Sequence, residues 1–411
     1  MPQKTVVVTG MAINSAIGRN LEENLIGLQQ GQSGIVSISD KWQTYGMRSL
    51  VAGDIRTVGL ADRFDRRQLR FMCEPALLAA AATQDAIQHA GLSDPEVQDP
   101  DTGIILGTGA GASATDVLAM CDRLREKGAA RLGAYYTPVI MGSSLTANVG
   151  SIFGIRGHSY SITSACATSA HAIMLGMDMI RNGRQKRMIV GGSEDINPFS
   201  ASSFDGMRAL SANYNETPHR ASRPFDQARD GFVFSGGAAI LVLEELQTAI
   251  DRGATIHACI AGAGATCDGQ DMVVPNGDGA ERAMRLAIAD AGIEPSQIDY
   301  INLHATSTPI GDVVELDAVN RVFGTDVPPF SATKSMTGHG LGAAGSIEAI
   351  FCILMMQHQF IAPTINVENP DSAVAHLPLI RKPETATINF ALSNSFGFGG
   401  TNCCLLLAQP S

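Results

Sequence analysis

Two sets of segments occur along this chain in the same order, and that duplication constrains the fold more than any single motif does. In the first half, Val6 to Ala12 reads as a strand and glycine turn, and Gly103 to Gly111 as a strand and glycine-rich loop. Ala165 to Ile180 then reads as a helix leading to a strand that ends at Gly191-Gly192. In the second half, Ala258 to Gly269, Tyr300 to Thr308, Gly342 to Met355 and Thr387 to Gly400 repeat the series. The long helices stand out by periodicity: Ala170, Ile173, Met174, Met177 and Ile180 recur at helical spacing, as do Ile347, Ile350, Phe351 and Leu354. A duplicated pair would set both helix starts beside one central cleft, a natural place for a shared active site.

The short β-rich runs, among them Thr5 to Gly10, Arg187 to Gly192, Ala239 to Glu244 and Ile298 to His304, alternate with helical patterns throughout. The chain therefore reads as a layered α/β protein, and since such chains resemble themselves to some degree, that plainer account of the repeat stands beside duplication. The polar, turn-rich stretch from Ser222 to Gly231, followed by the apolar strand Ala238 to Leu243, puts the boundary near residue 250. The expected units are 1–250 and 251–411. Asp40 to Gln68, rich in Asp and Arg, reads as a surface excursion.

Charge and hydrophobicity exclude several classes of function. With 17% charged and 45% hydrophobic residues the chain is not disordered. A net charge of -11 opposes general nucleic-acid binding, which needs a basic surface. The longest apolar run, Ala349 to Met356, falls short of the ~18 residues of a membrane span, so no membrane insertion is expected. Val6 to Val8 break at Thr9-Gly10 and suit a buried strand better than a signal peptide, which makes a cytoplasmic address the default. The eight cysteines have no C-x-x-C pair, so neither a zinc site nor a disulfide framework is indicated.

The sharpest chemical feature is Ser161-Ile162-Thr163-Ser164-Ala165-Cys166-Ala167-Thr168-Ser169-Ala170. Small residues surround one cysteine at the junction of a strand-like run and the helix. A helix start favours thiolate over thiol, so Cys166 reads as a nucleophile, with a buried structural thiol as the alternative. His304 ends the strand Tyr300 to Leu303, and His339 lies in Lys334-Ser335-Met336-Thr337-Gly338-His339-Gly340. Either could be structural, but both sit at strand-to-loop junctions, where α/β folds carry chemistry. Asn394 to Asn402, with Gly397, Gly399 and Gly400, could present an N–H to an oxyanion and let an aromatic ring swing, or be a plain turn. Gly107-Thr108-Gly109-Ala110-Gly111 lacks the G-x-G-x-x-G spacing of a dinucleotide site.

Together these residues resemble the β-ketoacyl-acyl-carrier-protein synthases, most like their synthase I branch. The resemblance spans the chain: V-T-G near the start, S-A-C-A-T-S-A-H at Ser164 to His171, D-G-F at Asp230 to Phe232, H-x-T-S-T-P-x-G-D at His304 to Asp312, K-S-M-T-G-H at Lys334 to His339, and N-S-F-G-F-G-G-T-N at Asn394 to Asn402. One departure is Ala305, where the family usually has glycine.

The resemblance implies a thiolase-like duplicated fold layered αβαβα and a decarboxylative condensation of malonyl-carrier protein with an acyl chain held on Cys166. It also implies a homodimer, acyl-carrier protein in acyl and malonyl forms as partner, and no cofactor or metal. His304 and His339 would stabilise an enolate, and the N–H groups of Cys166 and Phe398 would form an oxyanion hole. Lys334, Glu315, Glu348, Thr306 and Thr308 would support the site, with Phe396 and Phe398 gating it. Arg66, Arg67 and Arg70 would dock the carrier; Lys127 and Arg131, four apart, are a second candidate pair by spacing alone, for which solvated surface charge is the preferred reading. Two readings compete: a ketosynthase of a polyketide or aryl-polyene pathway, and a non-catalytic chain-length partner subunit, which would not need Cys166.

Overall fold

The computed structural model describes residues 4–110 and 113–410, so Gly111, the end of the expected glycine-rich loop, lies outside the described residues. Ten strands form one mixed sheet. In chain order they are β1 Val6–Asn14, β2 Thr102–Gly107, β3 Ser159–Ile162, β4 Arg187–Glu194 and β5 Gly237–Glu245. The second half supplies β6 Ala258–Cys267, β7 Tyr300–Asn302, β8 Phe330–Ser331, β9 Phe390–Gly397 and β10 Thr401–Ala408.

The sheet order is β8-β7-β9-β10-β6-β1-β5-β4-β2-β3. Outward from the β1–β6 seam, adding five to each strand number of the first half gives its counterpart in the second. Strand directions agree as well. In each half the two pairs next to the seam are antiparallel and the two outer pairs parallel. The seam itself pairs only Val7 with Cys259 and Val8 with Ala258.

Helices complete the layers. Glu74–His89 covers the outer face of the first half, against β1, β4 and β5, while Asp278–Ala291, with Gly311–Phe323 beside it, covers β6 and β10 of the second. Between the halves, Thr168–Arg181 and Ala344–His358 pack on each other and on strands from both. Their approach needs a missing side chain: a Cβ on Gly345 would lie 2.7 Å from the Ala170 nitrogen. Ser346 N donates to Ser169 Oγ at 2.9 Å across the same contact.

A position covered on all sides explains why Ala344–His358 is apolar all round. The stretch Leu341–His358 has the length and composition to cross a membrane, yet 89% of it is buried inside the protein, so its apolarity belongs to the core. β1 and β5 are likewise buried almost throughout, so neither alternates apolar with exposed polar side chains, and the buried polar pair between them is satisfied internally, Thr9 Oγ1 donating to Glu244. Truncating a side chain here, as in Ile350→Ala, costs about 2–5 kcal/mol by lost burial and a residual cavity.

The structure departs from the sequence reading in three places. The repeated segment expected from Thr387 to Gly400 enters its strand only at Phe390, because the Asp299 carboxylate accepts from Asn389 N and Phe390 N and fixes the start of β9 there. The helix expected from Ala165 begins at Thr168. The excursion from Asp40 is not all surface: Trp42 is buried, its ring 6.1 Å from Phe234, because the one tryptophan finds an apolar bed there.

Candidate active site

Cys166 sits in the turn between β3 and the Thr168–Arg181 helix. Ala165 just before it has φ +48°, a left-handed conformation costly for any residue with a Cβ, and three contacts hold it. Ser164 N donates to Thr168 Oγ1 at 2.8 Å, that hydroxyl donates to Ala165 O at 2.7 Å, and Ser164 Oγ lies 2.9 Å from His171 Nδ1. Small residues around the cysteine make this turn possible. They also admit β9 closely: a Cβ on Gly397 would lie 3.0 Å from Cys166 N.

The second half brings two imidazoles to that sulfur. His304 follows β7, and its backbone is fixed by Glu315, which accepts from His304 N at 2.8 Å, Ala305 N at 2.7 Å and the Asn394 amide at 3.0 Å. His339 is anchored to the first half: its N–H donates to Val233 O at 2.8 Å and its carbonyl accepts from Ser235 N at 3.0 Å. The two rings meet edge to face with centroids 5.1 Å apart. One donor atom of each of Cys166, His304 and His339 lies within 4.8 Å of the others. These three are the one cluster among the described residues able to ligate a metal, but the Lys334 charge acting on all three works against a cation there.

Burial decides the protonation states. It pushes the Cys166 thiol up to about 12, opposed by the Lys334 ammonium and by the N–H groups of Phe398 and of Cys166 itself. The thiolate expected from the helix start is thus not the resting form, because the sulfur lies two residues ahead of the helix in an apolar setting. Burial and the Lys334 charge also hold His304 and His339 well below the usual histidine range. Both rings are neutral at physiological pH, and Nδ1 of each is buried without a hydrogen-bond partner among the described residues. Lys334 is buried with Nζ 2.6 Å from Glu348 Oε1.

A cavity of about 390 Å³ opens on this constellation, lined by Cys166, His304, His339, Thr306, Thr308 and Phe398 and, farther out, by Phe204, Met272 and Ile310. Phe398 lies in the turn between β9 and β10, 37% exposed, with its ring 6.1 Å from Phe204. Phe396 is inside β9, paired with Asn402, its ring 5.9 Å from His304. The glycine segment is therefore mostly strand, with a turn only at Phe398 to Gly400. Cys403 and Cys404 are buried within β10.

Arg66, Arg67 and Arg70 are exposed, as are Lys127 and Arg131. The short Arg66–Leu69 helix is started by an Asp65 capping box, and Arg70, just past its end, reaches Tyr135 Oη at 3.2 Å. Lys127 ends the helix Ala114–Lys127, and Arg131 lies in the following single turn.

Sequence reasoning missed Asn394 as the clamp on Glu315, and the cavity wall from Phe204, Met272 and Ile310. Asn394 stands in a quoted motif, so its polarity beside a buried strand was an available signal. The wall residues come from three separated segments and carry no spacing that unites them.

Comparison with known proteins agrees with this geometry. Residues 3–249 match the model of the β-ketoacyl synthase N-terminal domain, and residues 257–368 that of the C-terminal domain. The chain is 46% identical over 408 residues to 3-oxoacyl-[acyl-carrier-protein] synthase 1 of Haemophilus influenzae, covering 99% of each chain. It superposes on a β-ketoacyl synthase from Burkholderia phymatum with a TM-score of 0.94 at 34% identity, covering 99% of this chain and 100% of that one. A type II polyketide ketosynthase solved in complex with its acyl-carrier protein gives 0.88 at 29% identity over the full length of both. A duplicated sheet with its cysteine turn and paired imidazoles, matched from end to end in sequence and in fold, places this chain in the β-ketoacyl synthase family.

Proposed function

We propose that this chain is a 3-oxoacyl-acyl-carrier-protein synthase that extends fatty acyl chains by two carbons. The observation that carries the reading is the meeting of one thiol and two neutral imidazoles within 4.8 Å at the floor of the cavity. Cys166 attacks the thioester of the acyl-carrier protein. The acyl group moves to the sulfur, and the thiol proton goes to the departing carrier thiolate. The N–H groups of Cys166 and Phe398 receive the oxyanion of that step. Malonyl-carrier protein then binds and loses CO₂, leaving an enolate whose oxygen takes hydrogen bonds from Nε2–H of His304 and His339. Neutral imidazoles suit this, since they donate without surrendering the proton. The enolate carbon attacks the acyl carbonyl, and the Cys166 thiolate leaves and regains a proton from solvent. A raised thiol pKa favours that last protonation.

Glu315 and Asn394 hold His304 in place, and the Lys334–Glu348 pair sets the charge beneath both rings without reacting. Thr306 and Thr308, on the cavity wall, support the bound thioester. Phe398, in the exposed turn, gates the acyl chain, while Phe396 in its strand braces His304. No metal or organic cofactor enters any step.

Acyl-carrier protein is the partner, docked on Arg66, Arg67 and Arg70 with Lys127 and Arg131 beside them; none of the five has an acidic partner among the described residues. A homodimer is supported by β3, a sheet-edge strand with Tyr160 48% exposed, whose free backbone groups invite a second copy. A cytoplasmic address goes with this chemistry and with Val6 to Val8 as part of a strand paired on both sides. The units 1–250 and 251–411 are the two halves of one catalytic body. The deciding assay is a panel of acyl-carrier proteins of varied chain length with malonyl-carrier protein. Release of CO₂ with a product two carbons longer is expected from saturated fatty chains, whereas turnover of polyketide or polyenyl chains alone would replace this reading with the specialised one.

A further inference from the structure

The duplicated halves make a second turn like that of Cys166, and a buried acid fills it. Thr168–Arg181 and Ala344–His358 are counterpart helices, so Gly342, two residues ahead of its helix, stands where Cys166 stands ahead of the other. The residues just before agree in conformation, with φ +48° at Ala165 and +45° at Leu341. The strand ends agree too: Glu194 closes the eight-residue β4 as Gly397 closes the eight-residue β9. In the first half the cysteine turn faces the bare Gly397. In the second half the glycine turn faces Glu194.

Glu194 is 1% exposed, and neither oxygen is idle. One accepts from Thr108 Oγ1 at 2.7 Å, the other from Gly109 N at 2.7 Å and Gly342 N at 3.0 Å. Burial pushes its carboxyl up to about 7, against the pull of these donors. Gly109 and Gly342 come from opposite halves and touch so closely that a Cβ on Gly342 would lie 2.1 Å from Gly109 N. Gly109 lines the cavity beside Cys166, and Gly342 is three residues past His339.

We propose that Glu194 is a positioning residue for the condensation, its carboxylate occupying the anion-binding turn of the second half, pinning Gly342 to Gly109 and so fixing the His339 segment opposite Cys166. The inference rests on the function proposed above. Gly342 belongs to the His339 segment, so losing the clamp affects the enolate step more than acyl transfer; the Cys166 turn keeps its own hydrogen bonds, and the Glu194 charge only raises the thiol pKa, so its removal does not slow acylation. Glu194→Gln keeps an oxygen for both N–H groups and a partner for Thr108, so it is the conservative variant, while Glu194→Ala removes the acceptor of three donors.

The test measures malonyl-carrier decarboxylation and single-turnover acylation of Cys166 separately. Glu194→Ala is expected to lose at least about tenfold in decarboxylation and less than about threefold in acylation, with Glu194→Gln recovering most of the loss. Gly109→Ala, which crowds the same contact from the other half with Glu194 intact, is expected to give the same selective loss and serves if Glu194→Ala does not fold. Equal losses in both steps, or wild-type decarboxylation in Glu194→Ala, would overturn the proposal. A wild-type protein that condenses nothing from malonyl thioesters would sink the function itself.

Discussion

The halves of this molecule share one backbone plan and, on the function proposed above, supply opposite kinds of chemistry. The first half delivers a single reacting atom from a strained turn ahead of a helix, held by hydroxyls of its own segment. The second half leaves its equivalent turn as glycine and delivers two imidazoles from loops that need outside support. Glu315 secures one, and the first half's Val233 and Ser235 secure the other. A nucleophile must be exposed at one point, which a local turn achieves. Two donors that must converge on one oxygen have to be triangulated from several directions, and that takes residues far apart in the chain.

The sharpest break of that contrast removes the first half's atom. Cys166→Ala should abolish condensation, a fall of at least about a thousandfold, yet keep malonyl decarboxylation because the second half's donors remain. Full condensation by the variant would remove Cys166 from the mechanism. The converse variants, His304→Ala and His339→Ala, should still become acylated on Cys166 while decarboxylation falls by about a hundredfold or more. Wild-type decarboxylation in both would mean the enolate site lies elsewhere.

A pH series separates the halves without mutation. The buried thiol has its pKa raised to about 12, so the thiolate fraction grows as pH rises throughout the accessible range. Alkylation of Cys166 by iodoacetamide should accelerate by about tenfold per pH unit from pH 7 to 9, and a plateau in that window would contradict a protonated resting thiol. At the surface, Arg66→Glu with Arg70→Glu should raise KM for acyl-carrier protein by about tenfold at low salt and spare a small acyl thioester. An unchanged KM for both substrates would exclude this patch. The smallest effect belongs to Ala305→Gly. The Ala305 methyl is buried in the second half's hydrophobic cluster, so kcat should stay within about threefold, and a larger change would show that the methyl shapes the cavity.

The repeat, both long helices and the three side chains that meet in the cavity were legible because each had a local mark: periodicity, small residues around Cys166, or a strand-to-loop junction. What stayed hidden lacked such a mark. Nothing near Cys166 in sequence says that its surroundings would raise rather than lower its pKa, since burial is set by segments hundreds of residues away. Trp42 looked exposed among Asp and Arg because Phe234, its partner, is remote. The late start of β9 is dictated by Asp299 across the sheet. β8 is too short to leave a pattern, and its pairing comes from neighbours already in place.

The order of strands also governs how the protein is made. β1 lies at the seam, and both of its neighbours, β5 and β6, come from beyond residue 236. At translation speeds of about 5–20 residues per second, Val6 to Val8 wait roughly 10–50 s before either partner strand exists. Throughout that interval an apolar segment, paired on both sides in the finished protein, has neither edge covered. Such long-range pairing also makes for slow folding once synthesis ends. The nascent first half therefore carries an unpaired apolar strand for as long as the second half is unmade, and a chaperone that covers β1 during synthesis is expected to raise the yield of this chain.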